Sequence, residues 1–84
     1  MEIEFDPDKD AANIAKHGIS LARTADLEHV VVIKDGRFSG EQRYRFYGRI
    51  DGAPYCAAAV MRDGMVRAIS LRRAHAKEFN RHVG

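Results

Sequence analysis

The chain has 84 residues, of which 45% are hydrophobic and 31% are charged, with a formal net charge of +2. This length predicts one small domain over residues 1–84, and the balance argues against disorder. No apolar run approaches the roughly 20 residues of a membrane-spanning helix, and the acidic start, Met1 to Asp6, is unlike a signal peptide. A single cysteine, Cys56, excludes an internal disulfide or a cysteine zinc cluster. These features predict a cytoplasmic location with no membrane association.

Charge is divided unequally between the two halves of the chain. Residues 1–42 hold 5 Lys or Arg against 9 Asp or Glu, whereas residues 43–84 hold 9 Lys or Arg against 3 Asp or Glu. Eight of those nine cations are arginines, whose planar guanidinium binds phosphate through paired hydrogen bonds. A solvated basic face is the common explanation of such a bias. The concentration of arginines in one half of the chain favours an anionic partner instead, and RNA is the first candidate.

The first half predicts one strand, two helices and a second strand. Glu2 to Phe5 is typical of a short strand, after which Asp6 can cap a helix that begins at Pro7 and ends at Gly18. A shorter helix is expected from Leu21 to Leu27. The remaining elements of this half are a strand buried on both faces at Val30–Ile33 and a polar loop at Gly36–Glu41.

The second half predicts three strands joined by tight turns. Asp51-Gly52 and Asp63-Gly64 are typical of two-residue hairpin turns. The three strands and a final helix are expected at Gln42–Ile50, Ala53–Met61, Met65–Leu71 and Ala74–His82. The element order β-α-α-β-β-β-β-α predicts an α+β fold in which helices pack on a small antiparallel sheet.

Alternation along the first of these three strands places four functional candidates on one face, namely Arg43, Arg45, Tyr47 and Arg49. A two-residue turn would set the first three of them opposite the small residues Val60, Ala58 and Cys56. Such a face is typical of a surface that binds phosphates and stacks bases. The solvent face of an amphipathic strand, with Tyr47 merely covering the sheet, explains the pattern equally well.

Arg67, Arg72 and Arg73 bracket the last strand. Several cations that converge on one phosphate could stabilise the charge that develops as RNA is cleaved, and no metal is needed if the RNA 2′-hydroxyl is the nucleophile. A regular hairpin, however, puts Arg67 on the Arg43 face and Arg72 on the other, and Arg72 and Arg73 on opposite faces. A regular strand register therefore does not bring Arg67, Arg72 and Arg73 together on one face of the sheet. The four scattered histidines do not predict a metal site, although those near this strand end are candidates for proton transfer.

Several short motifs carry a family resemblance in chain order. They are Phe5-Asp6-Pro7-Asp8-Lys9, Asn13, Lys16-His17-Gly18-Ile19-Ser20, Gly40-Glu41-Gln42-Arg43, Gly48, Arg67-Ala68-Ile69-Ser70-Leu71-Arg72-Arg73-Ala74 and Glu78. Together they resemble the BrnT toxin family over nearly the whole chain. The resemblance implies the toxin of a type II toxin–antitoxin pair, with a compact RelE-like ribonuclease fold that cuts RNA without a cofactor or metal and arrests growth.

The resemblance also implies a partner. The expected partner is a BrnA-like antitoxin with a ribbon-helix-helix DNA-binding domain, in a heterotetramer that represses its own operon and contacts operator DNA only through the antitoxin. We expect an acidic or apolar antitoxin segment to cover the arginines. A non-catalytic protein that binds the antitoxin or nucleic acid, and acts mainly in operon repression, is the alternative.

Site residues follow from the same resemblance. It implies Arg43, Arg67 and Arg72 as catalytic residues that bind phosphate and stabilise the transition state. His82 stands where family members often carry Tyr. If that Tyr acts in catalysis, the resemblance implies either that His82 replaces it as proton donor or that this chain is a weak enzyme. The expected RNA-binding residues are Arg45, Tyr47, Arg49 and Arg73. Lys16 and His17 match a family motif, and they also suit the positively charged last turn of a helix.

Overall fold

A five-stranded sheet in the order β1-β5-β4-β3-β2 organises the molecule. The computed structural model describes residues 1–37 and 39–84. Its elements are β1 (Ile3–Glu4), α1 (Pro7–His17), a 3₁₀ helix (Leu21–Asp26), β2 (Glu28–Asp35), β3 (Arg43–Ile50), β4 (Ala53–Arg62), β5 (Met65–Arg73) and α2 (Ala76–Val83). The predicted α+β class and element order are confirmed. None of the described helices is long and apolar enough to cross a membrane.

The sheet is mixed, so the prediction of an antiparallel sheet is wrong at one edge. β1 runs parallel to β5, with Ile3 opposite Val66, whereas the other strand pairs are antiparallel. Tight turns reveal the orientation of strands that follow one another directly, but α1 and three strands separate β1 from β5. The prediction that Val30–Ile33 is buried on both faces is also wrong. β2 is the opposite edge of the sheet, and Val32 is 53% exposed.

The predicted helix ends are confirmed by their caps. The Asp6 carboxylate accepts a hydrogen bond from the Asp8 backbone N–H at 2.8 Å, and Gly18 ends α1 with a φ of 73°. Such a positive φ favours glycine, because glycine has no Cβ to clash with the backbone. The second predicted helix is 3₁₀ rather than α. The predicted polar loop at 36–41 includes Phe38, which lies outside the described residues.

The two hairpin turns form as predicted. Asp51 and Gly52 have φ values of 50° and 81°, and Asp63 and Gly64 have values of 51° and 76°. Two successive positive φ angles are characteristic of type I′ turns, whose twist matches that of the flanking strands. The first turn sets the β3–β4 register that the sequence predicted, with Arg43, Arg45 and Tyr47 opposite Val60, Ala58 and Cys56.

An irregularity in β5 overturns the predicted placement of Arg72. The register runs regularly from the turn until Ala68 pairs with Ala59, but Ser70 then pairs with Ala58, which leaves Ile69 as an extra residue. Such a β-bulge reverses the facing of every residue beyond it. Arg67 and Arg72 consequently lie on the same face, contrary to the regular-hairpin prediction, while Arg73 points to the other.

Each face of the sheet has its own core. The larger cluster, beneath the 3₁₀ helix, includes Leu21, Phe46, Ala57 and Leu71. The smaller cluster lies beneath α2 and consists of Tyr47, Cys56, Ala74 and Phe79. The part of this second face that carries Arg43, Arg45, Arg67 and Arg72 is called the arginine face below.

Asn13 fastens α1 to the sheet beside the bulge. Its side chain is 5% exposed and makes three hydrogen bonds. The amide nitrogen donates to the carbonyl oxygens of Leu71 and Ile19, both at 2.9 Å, and the amide oxygen accepts from the Leu71 N–H at 3.1 Å. The Asn13 amide therefore satisfies both backbone groups of Leu71, next to Arg72.

We predict that Asn13→Ala lowers the free energy of unfolding by about 2 to 3 kcal/mol, because it leaves buried backbone groups without partners. Urea denaturation measures this change. The control Ala15→Ser, at an exposed position of the same helix, should change stability by about 0.5 kcal/mol or less. Equal effects of the two substitutions would contradict the bridging role of Asn13.

Candidate active site

A cavity of about 220 Å³, called the central cavity, opens on the arginine face. Its lining includes the arginines Arg37, Arg43, Arg45 and Arg72, the small residues Cys56, Ala58 and Ser70, and one carboxylate, Asp35. The cavity exists because small β4 residues lie between long side chains on both neighbouring strands. Cys56, for example, pairs with Tyr47 on one side and with Arg72 on the other.

Glu78 fixes the position of Arg72. Its carboxylate accepts two hydrogen bonds from the Arg72 guanidinium, at 3.0 and 2.9 Å, and a third from the Tyr47 hydroxyl at 2.6 Å. The pair with Arg72, above all, lowers the pKa of Glu78 to about 2 and also raises the pKa of Arg72. Glu78 therefore stays ionised at neutral pH and aims the guanidinium at the cavity.

Tyr47 links Glu78 to a second arginine. Its hydroxyl accepts a hydrogen bond from Arg45 Nη1 at 2.8 Å while it donates to Glu78. Burial, and then the bond to Glu78, raises the pKa of Tyr47 far above the neutral range. The hydroxyl therefore keeps its proton and serves as a fixed connection between the two charged groups.

Asp35 holds the other side of the central cavity. It is 5% exposed and accepts two hydrogen bonds from the Arg37 guanidinium, at 2.9 and 2.7 Å, and a third from the Arg37 backbone N–H at 3.2 Å. Arg45 Nε lies 3.7 Å from the same carboxylate. These contacts, led by the hydrogen bond from Arg37, lower the pKa of Asp35 to about 2. The carboxylates of Asp35 and Glu78 thus hold Arg37, Arg45 and Arg72 close together, although the three positive charges repel one another.

A wider groove of about 560 Å³ lies on the other side of Arg72 and Glu78. Its remaining lining residues are Lys16 and His17 from the last turn of α1, Arg73 and His75. The helix-end interpretation of Lys16 and His17 is correct, and the same two side chains also face the groove. Arg72 therefore stands between an arginine cavity and a groove that contains two imidazoles.

The structure places the predicted phosphate-binding residues in different surroundings. Arg43, Arg45 and Arg72 line the central cavity, whereas Arg67 lines a neighbouring cavity that it shares with Arg43. The Arg49 guanidinium lies over the Phe79 ring, 4.8 Å from its centroid. The Arg73 guanidinium lies 5.6 Å from the centroid of Tyr55, on the other face of the sheet.

The predicted stacking role of Tyr47 does not fit this geometry. The residue has no exposed surface, because the His82 ring stacks on it with 4.8 Å between centroids and the Phe79 ring packs against it in a T-shaped arrangement. No base can reach the Tyr47 ring in this arrangement. His82 itself packs against Tyr47 and lines none of the cavities described above.

Sequence analysis assigned no functional role to Asp35 or Arg37, and it indicated Glu78 only as part of a family motif. A signal for Glu78 was present. Of the three acidic residues in 43–84, Asp51 and Asp63 occupy hairpin turns, so Glu78 is the one that remains to be explained. Asp35 could not be recognised as a functional residue in the same way, because its position directly before Gly36 is explained by a turn. Among the described residues, no three His, Cys, Asp or Glu side chains are grouped closely enough to hold a metal.

The two lowered pKa values predict that the protein loses stability in acid. A carboxylate whose pKa is lower in the folded than in the unfolded chain stabilises the fold above its unfolded pKa, and this contribution is lost as pH falls. For Glu78 the loss occurs between about pH 4.5 and about pH 2, and for Asp35 between about pH 3.8 and about pH 2. Glu78→Gln should lower stability at pH 7 and reduce the loss in acid.

Chemical denaturation at a series of pH values measures both effects. Glu2→Gln, the same change at an exposed residue, serves as the control and should leave the profile unaltered. An unchanged acid profile in Glu78→Gln would show that the pair with Arg72 does not contribute to folding.

Comparisons with known proteins agree with this architecture. The family described as "Ribonuclease toxin, BrnT, of type II toxin-antitoxin system" matches residues 5–78. The chain is similar to the crystal structure of the Brucella abortus ribonuclease toxin BrnT, with a TM-score of 0.73 and 24% identity over 89% of this chain and 97% of that one. A search of curated proteins gives no match. The family match covers most of the chain and implies an antitoxin partner; the protein belongs to the BrnT family of type II toxin–antitoxin toxins.

Proposed function

We propose that this toxin is a metal-independent endoribonuclease that cleaves RNA and thereby arrests growth. The observation that carries the proposal is the convergence of Arg43, Arg45 and Arg72 on one cavity with a floor of small residues. Each guanidinium offers several donors in a fixed plane, which suits the oxygens of a phosphodiester. A β-bulge is needed to bring Arg72 to this face, so the convergence is not a by-product of strand alternation.

The proposed reaction uses the RNA as its own nucleophile. The 2′-oxygen attacks the adjacent phosphorus as its proton leaves, the bond to the 5′-oxygen breaks, and that oxygen takes up a proton. The products are a 2′,3′-cyclic phosphate and a 5′-hydroxyl. Arg43 and Arg72 stabilise the negative charge that develops on the phosphoryl oxygens. Glu78, which accepts hydrogen bonds from Arg72 and Tyr47, acts as a positioning residue for Arg72.

Proton transfer needs groups near the scissile phosphate, and histidine is the usual residue for this task. His17 and His75 line the groove beside Arg72, which makes them candidates. The role of His82 as proton donor stays a prediction from the family resemblance. Its contact with Tyr47 supports a second hypothesis, in which His82 holds Tyr47 in place.

The remaining features of the proposal follow from membership of the family. The antitoxin is proposed to be BrnA-like with a ribbon-helix-helix domain, to form a heterotetramer with the toxin, and to contact operator DNA itself. A RelE-like single domain and a cytoplasmic location complete the proposal. The charge of the arginine face favours an acidic antitoxin segment as its cover.

The first test is incubation of the purified chain with cellular RNA in EDTA. We expect cleavage by the wild type and a decrease in rate of about 10² to 10³-fold for Arg72→Ala, the range seen when a transition-state donor is removed. Arg81→Ala, at an exposed arginine of α2 outside the described cavities, should retain full activity. Wild-type activity in Arg72→Ala would remove Arg72 from the mechanism.

Absence of cleavage would favour the alternative function. A non-catalytic member would bind its antitoxin tightly and support repression without cutting any RNA. The bidentate pair between Arg72 and Glu78 is compatible with that role, because it already occupies two donors of Arg72. Repeating the assay with ribosomes present separates this outcome from a nuclease that acts on translated RNA.

A second prediction compares the histidines. We expect His17→Gln or His75→Gln to slow cleavage by about 10²-fold or more if that residue transfers a proton. His82→Gln should lower thermal stability as the packing of Tyr47 loosens. A loss of cleavage in His82→Gln without any loss of stability would instead support His82 as the proton donor.

A further inference from the structure

A second cavity, of about 270 Å³, lies beside the central cavity on the arginine face and is called the flanking cavity here. Its lining includes four cationic side chains, those of Lys9, Arg43, Arg62 and Arg67, and one carboxylate, that of Glu41. Arg43 and Ile69 line both cavities, so the two are adjacent. The excess of positive charge in the flanking cavity calls for an anionic ligand.

Strand register sets the separation of the two cavities. Val60 lies in the flanking cavity, directly between Arg43 and Arg67 on the neighbouring strands. Ala58, in the floor of the central cavity, lies two residues away on β4, or about 7 Å along an extended strand. Because the two cavities are this close and share Arg43, successive phosphates of one strand can occupy them.

Two cations of the flanking cavity, Arg67 and Lys9, are weakly engaged with the residues that the structure describes. Arg67 Nη1 lies 3.5 Å from Glu4 Oε1, with the two side chains 31% and 41% exposed. Arg62, by contrast, donates two hydrogen bonds to Glu41, at 3.1 and 3.0 Å, with both side chains about half exposed. A single exposed contact such as Arg67–Glu4 contributes little, and a phosphate can compete for Arg67. Lys9 makes no ion pair with any residue that the structure describes.

We propose that the flanking cavity is a second phosphate subsite, which binds a neighbouring phosphate of the RNA strand whose scissile phosphate lies in the central cavity. The proposal rests on the ribonuclease function proposed above and adds a site to it. Arg43 contacts both phosphates, and Arg67 and Lys9 bind the neighbouring one. Arg67 then contributes to substrate binding rather than to the chemical step, and the enzyme prefers substrates that carry a phosphate beyond the one it cleaves.

Binding of an uncleavable RNA tests the subsite independently of catalysis. A short oligonucleotide with 2′-O-methyl groups lacks the nucleophile, and its affinity is measured at several salt concentrations. We expect Arg67→Gln and Lys9→Gln each to reduce the slope of log K against log salt by about 0.7, the loss of one phosphate contact to a single strand. Arg67→Lys keeps the charge and should keep the slope, as should the control Arg81→Gln.

Kinetics on a cleavable oligonucleotide provide the second measurement. Arg67→Gln should raise KM about tenfold with kcat unchanged, because uniform binding is lost. A neutral methylphosphonate at the neighbouring phosphate should impair the wild type more than Arg67→Gln does, because it also weakens the contacts of Arg43 and Lys9, and it should impair the variant less than it impairs the wild type.

Unchanged salt slopes in both Arg67→Gln and Lys9→Gln, or a fall in kcat at constant KM in Arg67→Gln, would overturn the subsite. Lys9→Gln keeps the test valid if the loss of the Glu4 contact makes Arg67→Gln unstable. Reduced slopes in a chain that cuts no RNA, either alone or with ribosomes present, would support the subsite while refuting the ribonuclease proposal, so the two failures can be distinguished.

Discussion

The extra residue at Ile69 is the constraint on which the candidate site depends. Without it, the tight turn at Asp63-Gly64 would place Arg72 on the core face of the sheet, opposite Tyr55. A guanidinium there would lie where Arg73 lies in the structure, on the other face of the sheet from Arg43 and Arg45. With the bulge, Arg72 lies opposite Cys56 and joins Arg43 and Arg45. One residue of β5 thus decides whether the arginines are scattered or converge.

Convergence of like charges requires compensation, and the fold supplies it from two directions. Asp35 at the end of β2 and Glu78 in the first turn of α2 hold the arginines of the central cavity from opposite sides. The Tyr47 hydroxyl, buried beneath α2, connects the two sides of the cavity, because it accepts a hydrogen bond from Arg45 and donates one to Glu78. Both carboxylates remain ionised at neutral pH, so the cavity keeps a fixed geometry and a net positive charge without a bound anion.

Local sequence signals predicted local structure well and remote pairing poorly. Capping by Asp6, the end of α1 at Gly18 and both type I′ turns follow from the preferences of single residues, and all were predicted. The face shared by Arg43, Arg45 and Tyr47 followed from alternation and one turn. The bulge at Ile69 and the parallel pairing of β1 depend on contacts between distant segments, which no local pattern encodes. The burial of Tyr47 could not be predicted either, because it depends on where α2 packs.

Asn13 connects the stability of the fold to the geometry of the site. Its amide satisfies both backbone groups of Leu71, which follows the bulge and precedes Arg72. At this point β5 has no β1 residue beside it, since the β1 pairing covers only Val66 and Arg67. α1 therefore takes over the role of an edge strand through one side chain, and its last turn brings Lys16 and His17 to the groove beside Arg72. The helix that secures the strand is thus the same element that completes the groove, so a change that displaces α1 affects folding and the site together.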